Sequence, residues 1–194
     1  MIAACLAILM LVAHHDADTS IAVTVLAPQD ISDSLVFRIC AEADAIWGPA
    51  GLVFECERHR LKAEPCQQRI EVTVDDRRSP VGVEDALGWL TFRDGAPDCS
   101  IHLSRSSAER LLHSTPGVSD GTISLHESLI GRALGRALAH EFGHYVFQSQ
   151  THTVHGLMRR AWDSEQVFAV ARTPFELTDQ QRALAEGHST RCPD

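Results

Sequence analysis

His140-Glu141-Phe142-Gly143-His144 sets two imidazoles and a carboxylate within five consecutive positions. On a helix the two histidines share one face, one turn apart. That spacing points both rings at a common centre and suits two of the three protein ligands of a catalytic zinc, with the fourth position left to water. Glu141 is turned by about 100° from His140 around the helix, so it reaches that water rather than the metal. Zinc lowers the pKa of a bound water from about 15.7 to about 7, and a carboxylate can then take its proton during attack on a carbonyl and pass it to the leaving amine. With 11 His among 194 residues the pattern arises by chance about 0.04 times in such a chain, so its surroundings must add weight. They do: His140, His144, His152 and His155 fall within 16 residues, while the other histidines are dispersed.

The element that must carry this motif is a helix. Ser124-Leu-His-Glu127 has the spacing of a capping box and predicts a start there, with an end near Gln148. Leu134, Leu138, Phe142 and Val146 form an apolar row for the core. Gly131, Gly135, Ala139 and Gly143 form a row without bulk, which predicts close approach of another backbone such as a covering sheet or loop. Arg132 and Arg136 continue the histidine row and read as a solvated face, with His126 further up and without a role. Ahead of this helix, Ile21 to Ala27 reads as a strand, Ser32 or Asp33 caps a helix to about Trp47, and Leu52 to Glu57 and Arg69 to Asp75 read as strands. Leu87 to Phe92 and Ser100 to Ser104 flank a turn-rich segment, Arg93 to Asp98. Ala108 to His113 reads as a short helix, and the C-terminal third as mostly helical.

Length and composition set the frame. A chain of 194 residues with 44% hydrophobic residues is long enough for one domain with a sizeable core. Its net charge of −9 supplies no basic stripe, which excludes a phosphate-backbone binder and a polybasic membrane role. Ile2 to Ala13 is an apolar run too short to span a bilayer, and it fits the core of a secretory signal peptide. The expected organisation is a signal and short leader over 1–20 and a single catalytic domain over 21–194, exported to the periplasm or beyond, monomeric by default, with no membrane span. Removal of Cys5 with the signal leaves Cys40, Cys56, Cys66, Cys99 and Cys192, of which Cys56 and Cys66 are nearest in sequence. One or two bridges are expected in an exported protein, with connectivity open.

Leu138 to Arg159, LAHEFGHYVFQSQTHTVHGLMR, resembles the active-site segment of the metzincins, the matrixin type in particular. More closely, it resembles small exported bacterial metalloprotease-like proteins with a delayed third histidine and a Gly-Leu-Met. Met158 lies 18 residues beyond His140, and the resemblance implies that it is the Met-turn methionine beneath the metal. The implied fold is α+β, a minimal metzincin-like zincin: a mixed β-sheet with one N-terminal helix, a central active-site helix and a C-terminal helix. The implied function is zinc-dependent hydrolysis of a peptide or protein by an endopeptidase with one catalytic Zn2+ and Glu141 as general base. The alternative is a non-catalytic zinc-binding or structural module on the same scaffold.

The departures from that pattern fall at three places. Where the family has a glycine and, three residues later, its third histidine, this chain has Phe147 and Gln150. Phe147 does not readily take a positive φ, so the helix is expected to run on before the chain reverses. The third ligand is then His152, with His155 as the alternative and Gln150, Asp163 or Glu165 behind them. Arg160 replaces the tyrosine often found two residues past the methionine, and Tyr145 reads as packed. The substrate-pairing edge strand is either Leu87 to Phe92 or Ile101 to Ser104.

Overall fold

The structure is a computed structural model that describes residues 19–59, 69–79, 86–118 and 121–185. The apolar run Ile2 to Ala13 lies outside these residues, as do Cys5, Cys66 and Cys192. No helix among the described residues is long and apolar enough to cross a membrane.

Five strands form one mixed sheet in the order β2-β1-β3-β5-β4. β1 (Thr19–Leu26), β2 (Leu52–His59), β3 (Ile70–Asp75) and β5 (Ala96–Ser104) run parallel, and β4 (Gly88–Arg93) is an antiparallel edge strand on β5. Their period-two pattern puts Val23, Val25, Val72, Val74, Ile101 and Leu103 in the core. α1 (Asp33–Trp47) and α3 (Ile123–Val146) complete that core through Leu35, Ile39 and Ala43 on one and Leu134, Leu138 and Phe142 on the other. Trp47 ties them together: its indole N–H donates to the Ala139 carbonyl at 3.0 Å and its ring meets Phe142 edge-on at 5.0 Å.

Most of the bulk-free row of α3 faces α1 rather than a sheet, with only Gly143 turned to the segment after the helix. A Cβ on Gly131 would stand 2.6 Å from Arg38 Cβ, and one on Gly135 2.5 Å from Glu42 Cβ. Two α1 side-chain stems therefore fill the space that larger residues on α3 would need. α1 begins as its sequence predicts, with Ser32 Oγ accepting the Leu35 N–H at 3.0 Å. α3 does not. Its N-cap is Thr122, whose Oγ1 accepts the Leu125 N–H at 3.2 Å, and Glu127 instead accepts a hydrogen bond from Ser32 at 2.7 Å. A carboxylate engaged by the neighbouring helix start is not available to close a capping box.

Three other elements differ from their expected bounds. The loop between β4 and β5 is a two-residue turn, Asp94-Gly95, with φ of 51° and 85°, so β5 begins at Ala96 rather than Ser100. α2 (Arg105–Ser114) starts directly from β5, with Ser104 as its N-cap. The chain beyond α3 is mostly irregular rather than helical, holding the short α4 (Ser164–Phe168), a 3-10 turn over Thr173–Phe175 and α5 (Asp179–Ala185).

Two long-range devices compensate for that irregularity and for the open β2 edge. Arg136, expected on a solvated face, is 1% exposed. Its guanidinium donates to Glu42 Oε1 at 2.9 Å and to the carbonyls of Gln166, Val167, Ala169 and Ala171, while Arg172 takes the other Glu42 oxygen at 2.8 Å. Four carbonyls in and just beyond the short α4 are thus gathered by one buried cation. At the other end, Cys56 pairs with Cys40, not with its sequence neighbour Cys66, and clamps β2 to α1. A loop of this length adds about 3 kcal/mol by restricting the unfolded chain. Cys99 is also disulfide-bonded.

Candidate metal centre

His140 and His144 lie on the last two turns of α3 and are each 6% exposed. Burial leaves few options for their ring nitrogens, and the backbone takes one from each. His140 Nδ1 is 2.9 Å from the Leu157 carbonyl, and His144 Nδ1 is 2.6 Å from the Ser149 carbonyl. A carbonyl only accepts, so both Nδ1 atoms carry the proton and both Nε2 atoms present lone pairs. Those two Nε2 atoms stand 3.1 Å apart. Two acceptors at that distance repel unless a cation lies between them, which is the donor arrangement of a metal site.

The third imidazole comes from the irregular segment. His152 stacks on His140 at 5.3 Å and meets His144 edge-on at 4.9 Å. One ligand atom from each of the three residues lies within 4.8 Å of the others. His155 is exposed and outside the group; its carbonyl accepts the Thr153 hydroxyl at 2.7 Å. Asp163 and Glu165 are outside it too.

The route from His144 to His152 explains the delay. Phe147 caps the helix in the right-handed region, and the residue that takes positive φ is Gln148, at 48°. The Ser149 N–H then returns to the His144 carbonyl at 3.2 Å and the Gln148 N–H to the Tyr145 carbonyl at 3.3 Å, the pairing of a Schellman motif. The reversal thus occurs one residue later than a glycine at 147 would allow. The same turn brings the Ser149 carbonyl to His144 Nδ1. Beyond it the Thr153 N–H donates to the Met158 carbonyl at 2.7 Å, and Thr153 bridges Arg159 in parallel.

Met158 closes the floor. It is 2% exposed, and a Cβ on Gly143 would stand 2.3 Å from its sulfur, so Gly143 is where the methionine enters the helix surface. Gly156 turns the chain into this position at φ 74°, against the Glu176 carbonyl, which also accepts the Leu157 N–H at 3.1 Å. Tyr145 is packed against Phe142 and 3% exposed. Trp162, which sequence reasoning missed, meets the His140 ring edge-on at 5.0 Å and leans on Phe175. No local pattern marks it, because its partner lies 22 residues back.

Glu141 faces β4. The Ser104 N–H bonds to the Leu87 carbonyl at 2.8 Å, and alternation along an antiparallel ladder then turns Gly88 and Leu90 to the outer edge. The Leu90 N–H is a donor to the Glu141 carboxyl, and Gly88 leaves room for its stem, since a Cβ there would lie 3.3 Å from Glu141 Cγ. β5 is internal, so β4 alone of the two expected strands offers a free edge.

Burial sets the protonation of these groups. It pushes Glu141 up to about 8, against the lowering effect of the Leu90 hydrogen bond. It holds His140 down to about 3, and lowers His144 and His152 as well. All three imidazoles are neutral at pH 7, the form that binds metal.

The chain is similar in structure to archaemetzincin from Methanopyrus kandleri, with a TM-score of 0.53 and 15% identity over 86% of this chain and 94% of that one. The fold is archaemetzincin-like. Metalloproteinase II from Bacteroides fragilis is similar at a TM-score of 0.50 and 10% identity, over 88% of this chain, which spans about half (53%) of that longer protein. No family model and no curated protein matches the sequence. The archaemetzincin-like fold agrees with the expected minimal metzincin-like α+β architecture: a mixed sheet, an N-terminal helix, a central motif helix and helices after the methionine, with the short α2 added between sheet and motif helix.

Proposed function

We propose that this protein is a zinc-dependent endopeptidase in which His140, His144 and His152 hold one metal ion and Glu141 is the general base. The observation that carries the reading is the convergence of three neutral imidazoles, two of them with Nδ1 committed to backbone carbonyls, beside a carboxyl on a free strand edge. The donor set fits zinc, which takes imidazole nitrogen and tolerates a three-residue site with an open position. A bound zinc supplies Lewis acidity, polarising a carbonyl and acidifying a water.

The chain's own residues account for the rest. β4 pairs with an extended peptide through the outward N–H and carbonyl of Gly88 and the outward carbonyl of Leu90, whose N–H is held by Glu141, and such pairing demands little of the peptide's sequence. Glu141 accepts a proton from water and delivers it to the departing amine. Its high proton affinity in the metal-free site suits both steps, since a base near neutral pKa serves as acid in turn. The Leu90 N–H keeps the carboxyl turned toward the strand where the peptide lies. Trp162 supports His140 at its ring edge, and Met158 packs against the same helix at Gly143. The Cys40–Cys56 bridge and the apolar run Ile2 to Ala13 support export to an oxidising compartment.

Elemental analysis should return one zinc per chain, and Glu141→Ala should abolish hydrolysis of a denatured protein substrate while keeping the metal. His152→Ala should weaken zinc binding by at least about 100-fold, and His155→Ala by less than about twofold. Loss of metal in the second alone would reassign the third ligand. Metal retained by a wild type that hydrolyses nothing would identify a non-catalytic zinc-binding module instead.

A further inference from the structure

Fourteen arginines lie among the described residues. Eight engage a carboxylate, and Arg38, Arg110 and Arg132 donate to hydroxyl or carbonyl oxygens. Arg78 stands beyond the end of β3. The remaining two, Arg159 and Arg160, follow the methionine of the metal centre and form no ion pair among the described residues. Partners are not scarce in a chain with 26 Asp and Glu against 17 Lys and Arg. Asp163 and Glu165 follow closely, yet neither pairs with Arg160.

The backbone lays the segment of this cation alongside the one that carries His152, with the two residues set diagonally across a bridge. Thr153 bridges Arg159 in parallel, and its N–H holds the Met158 carbonyl at 2.7 Å. His152 precedes that bridge by one residue and Arg160 follows it by one. Both side chains are exposed, so the charge stands in solvent on the segment that also carries the exposed side of the cluster.

On the reading of the site as a peptidase, we propose that Arg160 determines specificity by pairing with a substrate carboxylate within two residues of the scissile bond. Pairing of main chain along β4 selects shape and leaves side-chain choice to the rim of the cleft. A guanidinium fork matches a carboxylate through two parallel hydrogen bonds, and no internal acid competes for this one. The carboxylate is supplied by an Asp or Glu side chain or by a free C-terminus.

The test uses the zinc-loaded full chain and peptide sets in which Glu, Gln or Lys is walked through the positions flanking the cleaved bond, each made with a free and an amidated C-terminus. One position should show kcat/KM about fivefold higher for Glu than for Gln, the size of one partly exposed ion pair. The preference should shrink from 50 mM to 500 mM salt, vanish in Arg160→Gln and invert in Arg160→Glu, with zinc content unchanged. A gain confined to the free C-terminus assigns the carboxylate to the chain end. Equal rates for Glu and Gln peptides and for both chain ends, or a preference that survives Arg160→Gln, overturns the proposal. If no peptide is cleaved, the peptidase reading fails separately; calorimetric binding of the same peptides to Glu141→Gln protein, with and without Arg160→Gln, then decides the role of Arg160 by the same preference or its absence.

Discussion

The two halves of the histidine cluster are held by different means. His140, Glu141 and His144 ride on a helix whose opposite face is the core, so their relative positions follow from 3.6 residues per turn and need no further instruction. His152 and Met158 sit in an irregular segment, where position is set one hydrogen bond at a time: Ser149 to His144, Thr153 to Met158, Leu157 to Glu176. The two halves also support each other. The irregular half supplies the carbonyls of Ser149 and Leu157 that fix the tautomers of the helical half. A regular element thus sets the spacing of two imidazoles, and an irregular one sets their tautomers and brings the third beside them.

Arg136 is the joint between the halves, and its loss should break the comparison most severely. Arg136→Leu leaves Glu42 with one partner and removes the guanidinium from four carbonyls, of which Gln166 keeps the Ala169 N–H. Removing one member of a buried pair costs about 3–5 kcal/mol, read as a lower urea midpoint. If the halves are coupled, zinc affinity should fall too, although Arg136 touches no ligand. Unchanged affinity in a destabilised but folded variant would show that the irregular half is held by its own local bonds.

The helical half carries opposed titrations. In the metal-free protein Glu141 has its pKa raised to about 8 from an unfolded value near 4.5, so the native state holds more protons between these limits and stability falls as pH rises through them. His140, held to about 3 from about 6.5, acts the other way: it costs stability as pH falls through that window. The two offset each other between about pH 4.5 and 6.5. Metal-free protein should therefore lose about 1–2 kcal/mol between pH 6.5 and 8, by urea unfolding, and Glu141→Gln should remove that loss while keeping the decline in acid. A loss that persists in the variant would place its origin outside the helical half.

Legibility followed the same division. α1 with its Ser32 cap, the strands and the motif helix repeat at periods that a sequence displays directly, and the spacing of His140 and His144 needs nothing else. What stayed illegible depends on partners far away in the chain. Arg136 reads as a surface residue until Glu42, 94 residues earlier, is packed against it. Cys56 meets Cys40 because β2 folds back beside α1, which sequence proximity to Cys66 does not reveal. The Thr122 cap displaced the apparent capping box because Glu127 was taken by Ser32. The choice of His152 over His155 turned on where the chain reverses, a matter of one residue's φ.

That residue gives the smallest and most local test. Gln148 has φ of 48°, where a side chain costs about 1 kcal/mol, and its amide partly offsets this by donating to the Tyr145 carbonyl at 2.7 Å. Gln148→Ala loses the hydrogen bond and keeps the strain; Gln148→Gly loses the bond and relieves it. The glycine variant should be the more stable of the two by about 1 kcal/mol, the reverse of their order inside a helix. Both should bind zinc about equally, because the Ser149 carbonyl is placed by the backbone bond from its own N–H to His144 and not by the side chain at 148. An alanine variant as stable as the glycine one would mean that the helix runs on through 148, and the delivery of His152 would then need a different turn.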